Sequence, residues 1–406
     1  MRLLIPAVAM LTGLAALSAK PADTVHIVLQ GQSNAVDMFQ SKSKEKGGWF
    51  GDAGYNSIFK PLVKELTGIP NVLVYGDTFT PGQRTLVGGT YTFKTGENNT
   101  WMAMEGADPS AWPLGPLGLE CDTYLRTKIR DKVGDAPVAF LRIHSEYDSR
   151  LDAGDAAFYA AANRNFVAKM RDAAGLSAQQ MPVFYGQVPY SMGVKPAGIN
   201  ALRIAWREDV ADPSFNARYA WGSANDADPH TDGAHTGLEG CRQANARMAI
   251  AVARWFFDKG YSHNDLSTLP VTGPRIAGFR RGPKPNQIDV IIEHDGGSDI
   301  FIPADPYLGS FAVVDPDGTG PAPKVVSAER ANPTTLRLTL DKDLSPGRTV
   351  TLDYLMGCGL NGLGKLITDN YHEVAKPAPI AKAIASCYPD LRMPLARLAA
   401  PITIQP

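Results

Sequence analysis

The 406-residue sequence contains only four cysteines, and no two of them form a C-x-x-C pair. A cysteine-based zinc site or a dithiol redox motif is therefore not indicated. Charge of one sign is not in excess either, because 40 basic residues face 41 acidic ones and the formal net charge is -1. This balance argues against a nucleic-acid partner, since phosphate binding usually leaves a basic patch on the protein. No internal repeat or low-complexity segment points to a solenoid or a fibre.

Long apolar runs are missing after the N-terminus. The opening residues, MRLLIPAVAMLTGLAALSAKPAD, carry Arg2, then an apolar stretch, then small residues. This pattern predicts a secretory signal peptide over residues 1–19, cleaved after Ser18 or Ala19, with an uncleaved N-terminal anchor as the alternative. The apolar stretch is short for a membrane span, so we expect a secreted or periplasmic protein and not an integral membrane protein.

The four cysteines fit such an exported protein, because disulfides persist in oxidising compartments. Two lie in the N-terminal part of the chain, Cys121 and Cys241, and two near the C-terminus, Cys358 and Cys387. Pairing within each part is the simplest of the three possible connectivities. We therefore expect the disulfides Cys121–Cys241 and Cys358–Cys387.

Residues 24–265 alternate between short apolar runs and helical patterns. The runs VHIVLQ, NVLVY, PVAFLRI and MPVFYGQV predict strands. Helical patterns cover residues 119–131, 156–174 and 239–259, and the Gly-, Thr- and Asn-rich stretch 80–110 is typical of a long surface loop. Strands that alternate with helices predict an α/β domain with a parallel sheet covered on both faces.

The pattern of apolar and turn-forming residues changes after Pro270. Short alternating runs separated by Pro, Gly, Asp and Asn predict a smaller all-β sandwich domain over residues 271–375, followed by a C-terminal tail over 376–406. This second domain has two interpretations. It either packs against and stabilises the first domain, or it binds carbohydrate through aromatic side chains such as Tyr307 or Phe311.

Two short motifs in the first domain carry candidate chemistry. In VHIVLQGQSNA, Ser33 follows the first predicted strand, and strand ends in open α/β sheets are where ligands bind. A plain turn is the alternative, because Gly, Ser and Asn favour turns for local reasons. In DGAHTGLEG, Asp232 and His235 share one loop before the last helix of the domain. A serine needs a nearby base to become a nucleophile, and that base works best when a third group orients it.

Together the two motifs resemble the SGNH, or GDSL, hydrolases, and within that family the branch of sialate O-acetylesterases and acetyl xylan esterases. The resemblance implies a flavodoxin-like three-layer sandwich in which Ser33 is the nucleophile, His235 the general base and Asp232 its orienter. A third stretch, WPLGPLGLECDTYLR, matches the block in which a glycine N–H enters the oxyanion hole. That role would fall here to Gly115, beside the N–H of Ser33.

A fourth block departs from the family pattern. Where the family usually has Gly-Glu-Ser-Asp or Gly-x-Asn-Asp, this chain reads RIHSEYDS, so that Ser145 replaces the glycine and Tyr147 the Ser or Asn. The third oxyanion donor then falls to His144 or Ser145. Losing one such donor costs roughly a hundred- to a thousandfold in turnover in serine hydrolases.

The expected function is a serine esterase that removes O-acetyl or other short acyl groups from a carbohydrate or polysaccharide, without a cofactor or a metal. Two other functions stay open: an exopolysaccharide O-acetyltransferase with the same triad, and a non-catalytic glycan-binding or polysaccharide-assembly protein. A metal site of His230, Asp232 and His235 would explain the loop but leaves Ser33 unused. The G-x-S-x-G elbow of α/β-hydrolases is rejected, because Ala35 stands where that motif needs glycine.

Overall fold

The structure is a computed structural model of the chain. It describes residues 21–31, 35, 56–75, 100–143, 148–186, 195–220, 238–314, 321–347, 349–355, 365–395, 398 and 402–404. The expected signal peptide over residues 1–19 lies outside these ranges. Within them, no helix combines the length and the apolar character that crossing a membrane requires.

The first part of the chain forms a five-stranded sheet in which all neighbouring strands are parallel, in the order β2-β1-β3-β4-β5. This is the flavodoxin-like order. The prediction of a flavodoxin-like α/β domain is therefore confirmed. The strands are β1 (Thr24–Gly31), β2 (Asn71–Tyr75), β3 (Val138–Ile143), β4 (Val183–Gly186) and β5 (Ala217–Ala220).

Helices cover both faces of this sheet. Since successive side chains of a strand point to opposite faces, one strand contributes residues to two separate cores. On β1, Val25, Ile27 and Leu29 belong to one hydrophobic core and Val28 belongs to the other. The helices are α1 (Phe59–Thr67), α2 (Pro116–Tyr124), α3 (Arg130–Val133), α4 (Ala153–Ala156), α5 (Tyr159–Ala174), α6 (Pro196–Ala211) and α7 (Leu238–Asp258), with a π-helical turn at Leu125–Ile129 and a 3-10 turn at Asp148–Arg150. Helices α1 and α7 pack into the first core, and α2 and α5 into the second.

The chain after residue 270 forms antiparallel sheets around a separate core. A four-stranded sheet has the order β10-β11-β7-β6, and a three-stranded sheet has the order β14-β12-β9. Side chains from both sheets, among them Ile288 and Leu352, share one hydrophobic cluster, so the predicted β-sandwich is confirmed. The strands are β6 (Arg275–Arg281), β7 (Gln287–Glu293), β8 (Ile300–Phe301), β9 (Phe311–Val314), β10 (Val325–Asn332), β11 (Thr335–Leu340), β12 (Val350–Tyr354), β13 (Thr368–Asp369) and β14 (Ile402–Ile404).

The C-terminal segment expected as a tail contributes to both domains. Helix α8 (Ala378–Cys387) buries Ile380 and Ile384 in the core that also contains α1 and α7. Further along the chain, β14 pairs with β12 of the sandwich. The segment between them is held on α7, where Arg247 Nε donates to the carbonyl of Arg392 at 2.9 Å. Helix α8, the segment at Arg392 and strand β14 therefore tie the two domains together.

The expected Cys121–Cys241 disulfide is absent, and this prediction is wrong. Cys121, Cys241 and Cys387 are free cysteines among the described residues, whereas Cys358, the expected partner of Cys387, lies outside them. Cys121 packs in the core with Val28, and Cys241 packs in the core with Leu29. Since Val28 and Leu29 point to opposite faces of the sheet, the sheet itself separates Cys121 from Cys241.

Candidate functional site

The candidate site lies where β1 and β3 end side by side. Their register pairs Gly31, the last residue of β1, with Ile143, the last residue of β3. The sheet order reverses between these two strands, and the crevice at such a point is where flavodoxin-like folds bind ligands. Ser33 follows Gly31 by two residues, and His144 and Ser145 follow Ile143 directly; all three lie outside the described residues.

Gly31 is held against the end of the neighbouring strand. A β-carbon on this residue would lie 2.2 Å from the carbonyl oxygen of Ile143 and 2.3 Å from the β-carbon of Ala35. Such distances are far below van der Waals contact, so the chain leaves β1 through a space that admits only glycine. Ala35 itself is buried at 1% exposure, so the chain on both sides of the Ser33 position is packed into the domain.

Helix α7 begins at the same edge of the sheet as the candidate site. Just beyond its C-terminal end, the carbonyl of Tyr261 accepts a hydrogen bond from the N–H of Ala22, which precedes β1. The helix has 21 residues and β1 has 8, so they are roughly 32 Å and roughly 26 Å long. Because α7 ends at the amino end of β1, its first residue, Leu238, lies at the level of the carboxyl ends of the strands.

The loop expected to carry Asp232 and His235 joins the carboxyl end of β5, at Ala220, to the start of α7, at Leu238. Both of its ends therefore lie at the edge of the sheet from which the chain runs on to Ser33. Asp232, His235 and the alternative metal ligand His230 lie outside the described residues. Elsewhere, the described part of the chain contains no cluster of three or more His, Cys, Asp or Glu side chains arranged to hold a metal.

Gly115 is described, and its surroundings do not match the expected role. It precedes α2 with an extended backbone, and Pro116 occupies the first position of the helix. Its N–H donates to the carbonyl oxygen of Trp101 at 2.9 Å. A β-carbon on Gly115 would lie 2.4 Å from the carbonyl oxygen of Thr100, so this glycine permits a close backbone packing. In this conformation the N–H of Gly115 is not free to serve an oxyanion.

The same contact limits the expected surface loop at residues 80–110. Trp101 and Met102 are fully buried, whereas residues 104–108 and Ser110 are exposed as expected of a surface loop. The Trp101 ring meets Phe166 of α5 edge to face, with 5.7 Å between ring centroids. Trp101 and Met102 therefore belong to the core beneath α2. Residues 80–99 lie outside the described part of the chain.

Arg142 and Gln30 form a buried polar pair directly below the strand ends, and the sequence analysis did not select them. They are register partners one residue before Ile143 and Gly31, and both are buried. Arg142 Nε donates to Gln30 Oε1 at 3.2 Å, and its guanidinium lies 4.9 Å from the centroid of the Phe166 ring. Among the residues that the structure describes, neither terminal nitrogen of Arg142 has a hydrogen-bond acceptor.

A buried guanidinium without a carboxylate partner is costly, and such groups cluster at functional sites. Its positive charge, in surroundings of low polarity, favours negative charge nearby. The sequence signal for this pair is the occurrence of polar residues at the ends of two otherwise apolar strands, VHIVLQ and PVAFLRI.

In the altered block RIHSEYDS, the structure describes the two ends. Arg142 and Ile143 close β3, and Asp148 and Ser149 open the 3-10 turn with both side chains buried. Glu146 and Tyr147 lie outside the described residues. The block therefore leaves one buried element and enters another within a few residues.

The aromatic residues considered for carbohydrate binding differ in exposure. Phe311 is buried in the sandwich core, where its ring centroid lies 4.7 Å from that of Tyr354. Its proposed role in binding is therefore wrong. Tyr307 is 36% exposed and remains on the surface.

No protein-family model matches this sequence, and no curated protein matches it. Among solved structures, a carbohydrate acetylesterase from Xanthomonas citri is similar at 12% identity and a TM-score of 0.49, over 93% of this chain and 80% of that chain. A family two carbohydrate esterase from Cellvibrio japonicus is similar at 14% identity and a TM-score of 0.36, over 59% of this chain and 63% of that one. An S-layer protein matches at 11% identity and a TM-score of 0.22, over 71% of this chain and 32% of that one. The fold assignment rests on the strand order of this chain and not on these likenesses.

Proposed function

We propose that the protein is a serine esterase of the SGNH type that removes acetyl or other short acyl groups from a carbohydrate. The observation that supports this most strongly is the register of Gly31 with Ile143 at the point where the sheet order reverses. The GQSN motif and the RIHSEYDS block continue from these two residues. The loop with Asp232 and His235 begins and ends at the same edge of the sheet.

In the proposed reaction, Ser33 Oγ attacks the ester carbonyl while His235 accepts the serine proton. Asp232 holds the imidazole in the correct tautomer and orientation. The tetrahedral intermediate collapses, the C–O bond to the sugar breaks, and His235 returns the proton to the leaving sugar hydroxyl. Water then attacks the acyl-serine with His235 as base. The bond between the acyl carbon and Ser33 Oγ breaks, His235 returns the proton to Oγ, and the free acid leaves.

The oxyanion requires donors in this scheme. The N–H of Ser33 and a group from His144 or Ser145 remain as proposed donors. The N–H of Gly115 takes part only if its hydrogen bond to the Trp101 carbonyl opens, since that bond occupies it. The buried charge of Arg142, one residue before the end of β3, favours the developing negative charge from below.

Release of free acid tests this function and separates it from acyl transfer. The purified protein is incubated with acetylated xylan and with a free sugar as acceptor, and acetate and newly acetylated sugar are both quantified. The proposal predicts free acetate that Ser33→Ala abolishes. Newly acetylated sugar in place of acetate would identify a transferase. Glycan binding without either product, unchanged in Ser33→Ala, would contradict both enzymatic functions.

The pH dependence of turnover tests the base. A histidine that accepts the serine proton must be neutral, and unperturbed histidine titrates near pH 6 to 7. Activity is therefore expected to rise with pH through this range. A flat profile between pH 5 and pH 8 would contradict His235 as the base.

The expected N-terminal export signal would bring such an enzyme to polysaccharides outside the cytoplasm.

A further inference from the structure

The 3-10 turn at Asp148–Arg150, which follows the RIHSEYDS block, packs directly on the first turn of helix α6. The N–H of Lys195, the residue before α6, donates to the carbonyl oxygen of Ser149 at 2.8 Å. Three residues later, Gly198 brings the helix against the turn. A β-carbon on Gly198 would lie 2.6 Å from the carbonyl oxygens of both Asp148 and Ser149. The position of α6 therefore fixes the position of this turn.

The same helix is bound to the β-sandwich by a buried ion pair. Arg203 of α6 donates to both carboxylate oxygens of Asp353 on β12, at 2.9 and 2.8 Å. It also donates to the carbonyl oxygen of Leu398 at 2.8 Å. The two charged side chains are 3% and 6% exposed. A planar guanidinium on a carboxylate in this two-point geometry fixes orientation as well as distance.

The outward direction of Asp353 explains how the two domains meet here. On β12, Val350, Leu352 and Tyr354 belong to the sandwich core, whereas Asp353 does not. Since neighbouring side chains on a strand point to opposite faces, Asp353 extends from the outer face of the three-stranded sheet. Helix α6 covers that face at Arg203.

Together these contacts make a continuous path from the sandwich to the end of β3. The path runs from Asp353 to Arg203, along about one and a half turns of α6 to Gly198, and then to the backbone of Asp148 and Ser149. The four residues between Ile143 and Asp148 are thus attached at one end to the central sheet and at the other to a turn held by α6.

We propose that the β-sandwich acts as a brace that holds the 3-10 turn at Asp148–Arg150 through α6, with Gly198, Arg203 and Asp353 as positioning residues. This inference rests on the proposed function, in which the RIHSEYDS block that runs into this turn supplies an oxyanion donor. It assigns the second domain a role in turnover that does not require the domain to bind substrate. In serine hydrolysis a misplacement of about 1 Å at a donor can reduce turnover by about a hundredfold.

The test uses Gly198→Ala in the full-length protein, with Gly154→Ala as the matched control. Both glycines are helical, and a β-carbon on Gly154 meets nothing within 4 Å, whereas one on Gly198 meets two carbonyl oxygens. Alanine is the better helix former at either position, so helix propensity works against a loss in both variants. Asp353→Asn tests the other end of the path, because it removes the charge and keeps the side-chain shape.

Hydrogen exchange is the first readout, because it does not depend on activity. The brace predicts that peptides covering residues 148–152 exchange about tenfold faster or more in Gly198→Ala and in Asp353→Asn, and unchanged in Gly154→Ala. Turnover on acetylated xylan is the second readout. A loss in kcat of about a hundredfold with KM little changed is expected for the first two variants, with far-ultraviolet circular dichroism unchanged.

The two readouts separate failure of the brace from failure of the proposed function. Unchanged exchange at residues 148–152 in both variants would overturn the brace, whatever the activity. Faster exchange confined to the sandwich in Asp353→Asn would overturn the link between the domains. Faster exchange at residues 148–152 in Gly198→Ala and Asp353→Asn, together with a parent protein that has no esterase activity, would support the mechanical path. It would also overturn both the proposed function and the role of the path in turnover.

Discussion

Gly31 and Ile143 meet at the carboxyl edge of the central sheet without room for a side chain between them. They are register partners at the ends of β1 and β3, and a β-carbon on Gly31 would lie 2.2 Å from the Ile143 carbonyl oxygen. The carbonyl belongs to the backbone of a central strand and has little freedom to move. The path of the chain that leads to Ser33 therefore requires a residue without a β-carbon at position 31.

Gly31→Ala is expected to destabilise the protein by about 1–3 kcal/mol, the usual cost of forcing an extra carbon into a packed site. The same substitution should also impair the active serine, because β1 can no longer end at its present position. Chemical denaturation measures the first effect and the rate of acetate release measures the second. Gly278→Ala is the control, since Gly278 is also a strand glycine and a β-carbon there meets nothing within 4 Å. Equal stability of the two variants would contradict the close contact.

The ion pair of Arg203 and Asp353 predicts that the stability losses of the single variants at these positions do not add up in the double variant. Removing one partner of a buried pair leaves the other charge without compensation and costs about 3–5 kcal/mol. Arg203→Met and Asp353→Leu are each expected to lower the free energy of unfolding by that order. The double variant should lose much less than the sum, because it leaves no buried charge. Additive losses, measured by denaturation in a double-mutant cycle, would show that the two residues do not interact.

Asp369 on β13 predicts a pH dependence of stability. Burial raises the pKa of Asp369 to about 6, although the N–H of Tyr371 and the side chain of His294 oppose that shift. The folded pKa is above the value of 3.8 for an exposed aspartate, so the folded state favours the protonated form. The contribution to stability is therefore complete below about pH 4 and is lost as the pH rises through about 6.

Asp369→Asn should remove this dependence and keep the acceptor for the Tyr371 N–H. Thermal denaturation is measured for the parent and the variant at several values between pH 4 and pH 7. The difference in melting temperature, variant minus parent, should increase with pH across this range. Asp295→Asn serves as the comparison, since Asp295 also faces Asp369 and accepts hydrogen bonds from backbone N–H groups. A difference that is constant with pH would contradict the raised pKa of Asp369.

The thiol state of the described cysteines predicts their reactivity. Cys121 and Cys241 are fully buried, and burial raises the pKa of the Cys121 thiol well above its ordinary value. Neither should react with iodoacetamide in the native protein, and both should react after denaturation without a reductant. Intact mass gives the number of alkylated cysteines, and peptide mapping identifies them. A Cys121–Cys241 disulfide in the oxidised, purified protein would contradict the separation of these residues by the sheet.

The sequence predicts most of the central sheet, since β1, β2, β3 and β4 come from short apolar runs rich in β-branched or aromatic residues. It does not predict β5, because ARYA is four residues long and contains Arg and Tyr. Helix α6 is missed for a related reason, since it contains an early proline, a glycine and a buried arginine whose partner lies 150 residues away. The buried side of α6 contains the charged Arg203 because this residue pairs with the distant Asp353, which the local sequence pattern does not reveal.

At the candidate site, the motifs and the strand ends agree, but the contacts could not be anticipated. The Gly-Pro of the WPLGPLG stretch does mark the start of α2, yet the carbonyl that accepts the Gly115 N–H belongs to Trp101, in a stretch with the composition of a surface loop. The predicted Cys121–Cys241 disulfide is wrong because the spacing of cysteines along the chain does not reveal on which face of the sheet each one lies. Arg142 was not selected because a single charge in an apolar run has no motif.

The proposed function depends above all on an activated serine at position 33. The most direct measurement is the intact mass of the folded protein after treatment with a fluorophosphonate, beside Ser33→Ala, His235→Ala and the control Ser177→Ala, whose serine is exposed. An activated Ser33 predicts one adduct on the parent and on Ser177→Ala, and none on Ser33→Ala or His235→Ala. The absence of an adduct on the folded parent, or an adduct that persists in Ser33→Ala, would contradict it.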